Sequence, residues 1–125
     1  MAKSGGTKGK ADSKTGEITV GENRKARFHY EILERYECGM VLQGTEVKSL
    51  RAGKISLDEA YARFDGDALF LIGANIPEYS HGNLQNHQPV HDRKLLLHRS
   101  EIDKLLGASR EKGLALVPTK VYLKA

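Results

Sequence analysis

Lys54–Ile76 reads KISLDEAYARFDGDALFLIGANI, and how these residues are parsed decides the fold. Two strand-like runs, Lys54–Phe64 and Asp67–Ile76, flank Asp65-Gly66. Asp-Gly between two such runs is a strong hairpin signal, because the turn needs a residue that accepts positive φ. The second run holds the longest apolar stretch of the chain, Ala68–Ile72 followed by Gly73-Ala74, which is far too short to cross a bilayer.

Working outward, Phe28–Leu42 (FHYEILERYECGMVL) places Tyr30, Ile32, Tyr36, Cys38, Met40 and Leu42 at even positions, with Glu34 the exception. Period two predicts a long strand with one buried face, and Gly39 predicts a bulge or coiling point such as a small barrel requires. Between the strands lies Gly44–Gly53, GTEVKSLRAG. It predicts a helix of barely two turns, with Thr45 as N-cap and Gly53 as a left-handed C-terminal cap. So short a helix is unstable alone and has to dock, here through Val47 and Leu50, leaving Lys48 and Arg51 on another face.

Downstream, Pro77–Arg93 predicts a long functional or mobile loop. A helix follows, opened by a capping-box-like pair, either His98 with Glu101 or Ser100 with Asp103. It carries Ile102, Leu105 and Leu106 on one face and runs to Gly113. Leu114–Leu123 predicts a last strand, with Pro118 favouring an edge, and no hairpin partner is evident for it.

At 125 residues the chain suits one domain with a modest core. Cys38 is the single cysteine, which excludes an intrachain disulfide, and its place on an apolar strand face suits a small core residue. No apolar signal region precedes it, and the expectation is a cytosolic chain. Residues 1–27 carry seven Lys/Arg against three Asp/Glu, which accounts for the whole formal charge of +4; the other 98 residues hold 13 of each sign. Any anion-binding face on the body must therefore arise from segregation of charge. Residues 1–22, rich in Gly, Ser and Lys, are expected to be a disordered basic tail, and residues 23–125 the folded domain. Asn23-Arg24-Lys25-Ala26-Arg27 sets three cations directly against that domain.

Motifs for catalysis are lacking. Ala52-Gly53-Lys54-Ile55-Ser56 imitates the end of a phosphate-binding P-loop, but Lys48 stands at its first Gly position and Ile55 replaces the Ser/Thr that would meet the metal. His81, His87 and His91, with Glu78 and Asp92 nearby, could suggest a zinc site. Their spacing fits no closed-site pattern, and solvated loop histidines are the preferred reading. Asp65 and Asp67 are read as turn formers. The expectation is a non-enzymatic binding protein with no cofactor and no metal. Its fold class is mainly β: a small antiparallel barrel with two or three peripheral helices.

The run Asn23–Arg27, Tyr30-Glu31-Ile32, Gly44–Gly53, Ile76-Pro77 and Arg93–His98 (RKLLLH) closely resembles the SmpB family, the bacterial partners of transfer-messenger RNA, over about residues 23–124. The resemblance implies an oligonucleotide-binding (OB-fold) barrel that holds the tRNA-like end of that RNA and helps deliver it to stalled ribosomes for peptide tagging. It further implies a cytoplasmic, bacterial protein that is monomeric when free. Carried over by position, the RNA-binding residues are Asn23, Arg24, Lys25 and Arg27 in the arm, with Glu37, Lys48, Lys94, Leu96 and His98 on the body. Arg and Lys would meet phosphates, Asn23 and His98 sugar or base edges, and Leu96 an unstacked base. Glu37 would accept from a base or orient a neighbouring cation. The alternatives are that Lys48 or Arg51 pairs with Glu46 or another carboxylate of the neutral body, and that Leu96 is a core residue. For Leu96, alternation lets Leu95 and Leu97 face inward while it faces out.

Two departures stand out. Phe28-His29 replaces a His-acidic pair common in the family, keeping an aromatic platform while the hydrogen bond moves or is lost. The family also continues past the position of Tyr122 with a final strand, an Ala-Arg-Gly-Lys segment and a basic tail. Their absence reads as a truncated chain with barrel closure in question. The rival is another OB-fold module for extended single strands, which would present exposed rings. Tyr30 and Tyr36 fall on the apparent core face, so folded RNA is the better expectation.

Overall fold

The hairpin forms where Asp-Gly predicts it. Tyr61–Asp65 (β3) pairs antiparallel with Ala68–Ile72 (β4), Asp65 opposite Ala68, and Gly66 takes φ +64 in the two-residue connection. The strands are shorter than the runs that announced them. Ser56 and Asn75 meet only as an isolated bridge, and Gly73 (φ +80) ends β4. The computed structural model describes residues 17–80, 86–111 and 113–124.

The hairpin is half of a four-stranded antiparallel sheet. Arg93–Leu96 (β5) pairs with β4, and Gly39–Met40 (β2) pairs with β5, giving the order β2-β5-β4-β3. A second sheet joins the two ends of the described chain. Glu17–Glu22 (β1) pairs antiparallel with Lys120–Lys124 (β6), with an irregularity between Thr19 and Gly21. The disordered tail expected through residue 22 is therefore corrected for Glu17–Glu22, and the last strand expected without a partner has one. Composition cannot reveal a ladder whose other strand lies a hundred residues away. Residues 1–16 lie outside the described residues. All pairing is antiparallel, and the two sheets do not close into one hydrogen-bonded barrel among the described residues.

Phe28–Leu42 is not one strand. Arg24–His29 (α1) is a helix, because Asn23 caps it by accepting from the Ala26 N–H (3.3 Å). Regular pairing resumes only at β2. Period two survives in burial all the same. Tyr36 is buried and Ile32, Cys38, Met40 and Leu42 half-buried, while the odd positions between them are exposed. Glu34 is exposed, as its sequence suggests, but so is Tyr30, because α1 ends at its N–H and resets the phase.

Two further helices complete the fold. Gly44–Arg51 (α2) is capped by Gln43 rather than Thr45, with the Gln43 N–H donating to Glu46 Oε1 (2.9 Å), and Gly53 follows at φ +79. Arg99–Ser109 (α3) uses the His98/Glu101 pair at its start, and it stops short of Gly113. Leu105 of α3 is buried in the core with Leu57, Leu69, Leu71, Leu95, Leu116 and Val121, and Cys38 packs at its edge. Among the described residues no helix is long and apolar enough to cross a membrane.

Candidate nucleic-acid interface

The docking of α2 rests only in part on the Val47/Leu50 stripe, of which Leu50 is buried. Its buried residues are Glu46, Ser49 and Leu50, a largely polar face, while Val47 is half-buried. A polar face can be buried only if its groups find partners. Ser49 Oγ donates to the Pro77 carbonyl (2.7 Å). Glu46, fully buried, accepts from Arg93 Nε (2.5 Å) and His91 Nε2 (2.9 Å) as well as from Gln43. Arg93 is itself buried, and its remaining donors reach the carbonyls of Ala74 (2.8 Å), Pro89 (2.9 Å) and His91 (3.3 Å). Burial pushes the Glu46 carboxyl up, but hydrogen bonds from Gln43, Arg93 and His91 outweigh it and hold the carboxyl below its ordinary value. The network therefore fixes α2 against the long loop and the start of β5.

This corrects the reading of the loop histidines as solvated. His87 is buried between Thr45 Oγ1 (2.8 Å) and the Ile76 carbonyl (2.8 Å). Since the carbonyl can only accept, Nε2 carries the proton and the Thr45 hydroxyl donates to Nδ1. His91 bridges Glu46 and the Asp92 carbonyl (3.0 Å). His81 lies outside the described residues, and among those residues no cluster of three or more His, Cys, Asp or Glu could hold a metal.

On this frame the cations separate into two sets. Arg93 pairs with Glu46, Arg99 with Asp67 and Asp103, Lys104 with Glu34, and Lys124 with Glu37. Arg24, Lys25, Lys48 and Lys94 are exposed and form no ion pair among the described residues, and the same holds for Arg35, Arg51, Lys54, Arg63 and Arg110. The alternative of a Lys48 or Arg51 bond to Glu46 is not realised, since the Glu46 oxygens serve Gln43, His91 and Arg93. Lys48 instead stands over the Tyr79 ring, 5.6 Å from its centroid.

β5 follows strict alternation: Arg93 and Leu95 are buried, Lys94 and Leu96 exposed. Leu96 is 50% exposed and therefore not a core residue, while Leu97 packs against the core. Leu96, Glu37 and His98 line one groove of about 600 Å³, floored in part by Leu50 of α2. In that groove Glu37 accepts from Lys124 Nζ (2.8 Å), which holds the lysine ammonium above its ordinary value.

The arm residues lie elsewhere. Asn23 and Lys25 line a second cleft that shares no residue with the first. Asn23 is 5% exposed, and besides capping α1 its side-chain amide donates to the Pro118 carbonyl (3.1 Å). Its contribution is to anchor the helix that carries Arg24, Lys25 and Arg27. Phe28 on that helix is 87% exposed.

The buried Glu46–His91–Arg93 network escaped the sequence reading. Its one available signal was a carboxylate at the third helical position of a short helix, which the capping-box pattern could have flagged.

The family model described as SmpB protein matches residues 20–125. The SsrA-binding protein of Magnetococcus marinus is 51% identical over 105 residues, spanning 84% of this chain and 70% of its own. That of Desulforudis audaxviator is 56% identical over 108 residues, spanning 86% and 71%. A solved structure described as "tmRNA-SmpB: a journey to the center of the bacterial ribosome" aligns with a TM-score of 0.69 at 51% identity, over 82% of this chain and 72% of its own. With a family model spanning residues 20–125 and relatives more than half identical across most of both chains, the chain belongs to the SmpB family.

Proposed function

We propose that this chain binds the tRNA-like domain of transfer-messenger RNA in the bacterial cytoplasm and helps bring it to stalled ribosomes for trans-translation. It acts as a positioning protein with no catalytic step of its own. The observation that carries this reading is the placement of unpaired charge: Arg24 and Lys25 on the arm helix α1, and Lys48 and Lys94 on a body with equal numbers of cations and anions, are exposed and form no ion pair among the described residues. Membership of a family whose relatives are SsrA-binding proteins, one of them in a tmRNA complex, supports it.

In this reading Arg24, Lys25 and Arg27 of α1, with Lys48 and Lys94, meet phosphates. Leu96 packs on an unstacked base, His98 bonds sugar or base edges, and Glu37 orients Lys124 or accepts from a base; Asn23 holds α1 in place. The RNA-binding unit is residues 23–125, with β1 as an added strand, and its architecture is an OB-type barrel. The antiparallel bridge from the Ala62 N–H to the Leu116 carbonyl (2.9 Å) supports that architecture, because it ties β3 to the segment that leads into β6.

The test is a gel-shift titration against the isolated tRNA-like domain and against unstructured RNA of equal length. The tRNA-like domain binds more tightly. Lys48→Ala and Lys94→Ala each weaken binding and reduce the salt slope by about 0.7 to 0.9, with the circular dichroism spectrum unchanged. Equal affinity for the two RNAs would remove the proposed function, and unchanged affinity in both lysine variants would remove the site.

A further inference from the structure

We infer that the cleft between α1 and the start of β3 binds a single unstacked RNA base against Tyr30 and Tyr61, a site separate from the groove that holds Glu37, Leu96 and His98. The inference rests on the RNA-binding reading above. Tyr30 is 46% and Tyr61 45% exposed, and both line this one cleft of about 260 Å³. That is smaller than the pockets that enclose drug-sized ligands, about 300 to 1,000 Å³. Its apolar lining comes from Ala26, Ala60 and Val117, all buried, and Asn23, His29, Lys25, Asp58 and Glu59 supply its polar part.

The two rings are held on fixed backbone. The Tyr30 N–H caps α1 by donating to the Ala26 carbonyl (3.0 Å), and Tyr61 is in ladder register with Ile72. The wall between them is fixed by Gly73, where a Cβ would come within 2.7 Å of the Glu59 carbonyl oxygen, so only Gly lets β4 end this close to Glu59-Ala60. Rings held this way lose little freedom when a base stacks on them.

The rim identifies what enters. Lys25, Asp58 and Glu59 all line this cleft, so the balance of charge does not favour a phosphate. An uncharged base with amino groups suits it, since carboxylates accept from amino groups. The phosphate of the same nucleotide would remain outside, toward Arg24 and Lys25.

The test uses the full chain and measures affinity for two sources of unpaired bases separately: the tRNA-like domain and purified small ribosomal subunits. Tyr30→Ala and Tyr61→Ala should each weaken binding in at least one arm by roughly 5- to 150-fold. Tyr30→Phe and Tyr61→Phe, which keep the ring, should stay near the parent, and the salt slope should not change, unlike that of Lys48→Ala. The arm that responds identifies the source of the base. Tyr61→Ala carries the test if Tyr30→Ala loosens the end of α1. Unchanged affinity in both arms with the fold retained overturns the inference, as do Phe variants as weak as the Ala variants. If the parent chain binds neither RNA, it is the proposed function that fails, and the base site falls with it.

Discussion

Replacing Arg93 with Met should cost this domain a large fraction of its stability, and a double-mutant cycle with Glu46→Gln should reveal why. Both side chains are fully buried and joined at 2.5 Å. Removing one member of such a pair strands the other charge, and that typically costs about 3 to 5 kcal/mol. The Ala74 and Pro89 carbonyls also lose their donors. Against the net stability of a domain, about 5 to 15 kcal/mol, either single change is severe. In urea, with a slope of about 1 to 3 kcal/mol per molar, the midpoint should fall by about 2 M. The double variant has no stranded charge. It should be less destabilised than the sum of the singles, with a coupling on the order of 2 kcal/mol. It should not recover fully, because the carbonyls remain unpaired. Urea titrations of the four proteins, followed by circular dichroism, give the cycle directly. Additivity within about 0.5 kcal/mol would refute the reasoning, since it would mean that water screens each charge independently.

Acid provides a second approach to the same carboxylate: the folded-state pKa of Glu46 lies below its ordinary value, so its contribution is present above about pH 4.5 and lost as pH falls through the folded pKa. Stability measured from pH 6 to 3 should therefore decline less steeply in Glu46→Gln than in the parent, and identical slopes would contradict the assignment. Leu50→Ala should cost about 2 to 5 kcal/mol, because the side chain is buried under α2, and RNA affinity should fall together with thermal stability; lost binding at unchanged stability would place Leu50 on the RNA instead. Asn23→Ala should cost about 1 kcal/mol through the lost cap on α1 and weaken RNA binding, whereas Asn23→Asp, which keeps the cap acceptor, should recover most of the stability; a full loss in both would shift the weight to the Pro118 bond.

What the sequence disclosed and what it concealed follow from the range of each interaction. The β3–β4 turn, the inside–outside order of Leu95 and Leu96 and the C-terminal end of α2 depend on neighbours two to four residues apart, and each is where the pattern puts it. α1 was missed although Asn23 is a good cap, because an alternating run beginning near Phe28 outweighed a helix of only six residues. Alternation carried through α1 puts Tyr30 on the inner face, whereas the helix turns it outward into the cleft with Tyr61. β1 depends on a partner at the other end of the chain, and Glu46 and Arg93 are 47 residues apart. Charge pairing over such a separation leaves no local period to detect. Of the candidate interface, alternation along RKLLLH accounts for the exposure of Leu96, whereas the choice of its residues comes from the family resemblance, and nothing nearby in sequence predicts the bond that Asn23 makes to Pro118.

The unpaired cations and the buried network also answer different physical demands. An exposed ion pair is worth about 0 to 1 kcal/mol, so leaving Lys48 or Lys94 without a carboxylate costs the fold almost nothing. In the proposed RNA contact their value lies in position. A helix of eight residues cannot hold Lys48 in place by itself, since nucleation alone opposes it. The Glu46–Arg93 pair and the Ser49–Pro77 bond hold it there, so that little side-chain and backbone freedom is left to lose when a phosphate arrives. The two demands separate experimentally: Lys48→Ala should alter RNA affinity and leave the urea midpoint where it was, while the Arg93→Met/Glu46→Gln protein, even under conditions where it is fully folded, should bind more weakly with an unchanged salt slope. The slope counts phosphates neutralised, which the network does not touch, whereas the affinity also registers how firmly the lysine is held. A reduced slope in the double variant would mean that α2 had left its seat and that Lys48 no longer met the RNA.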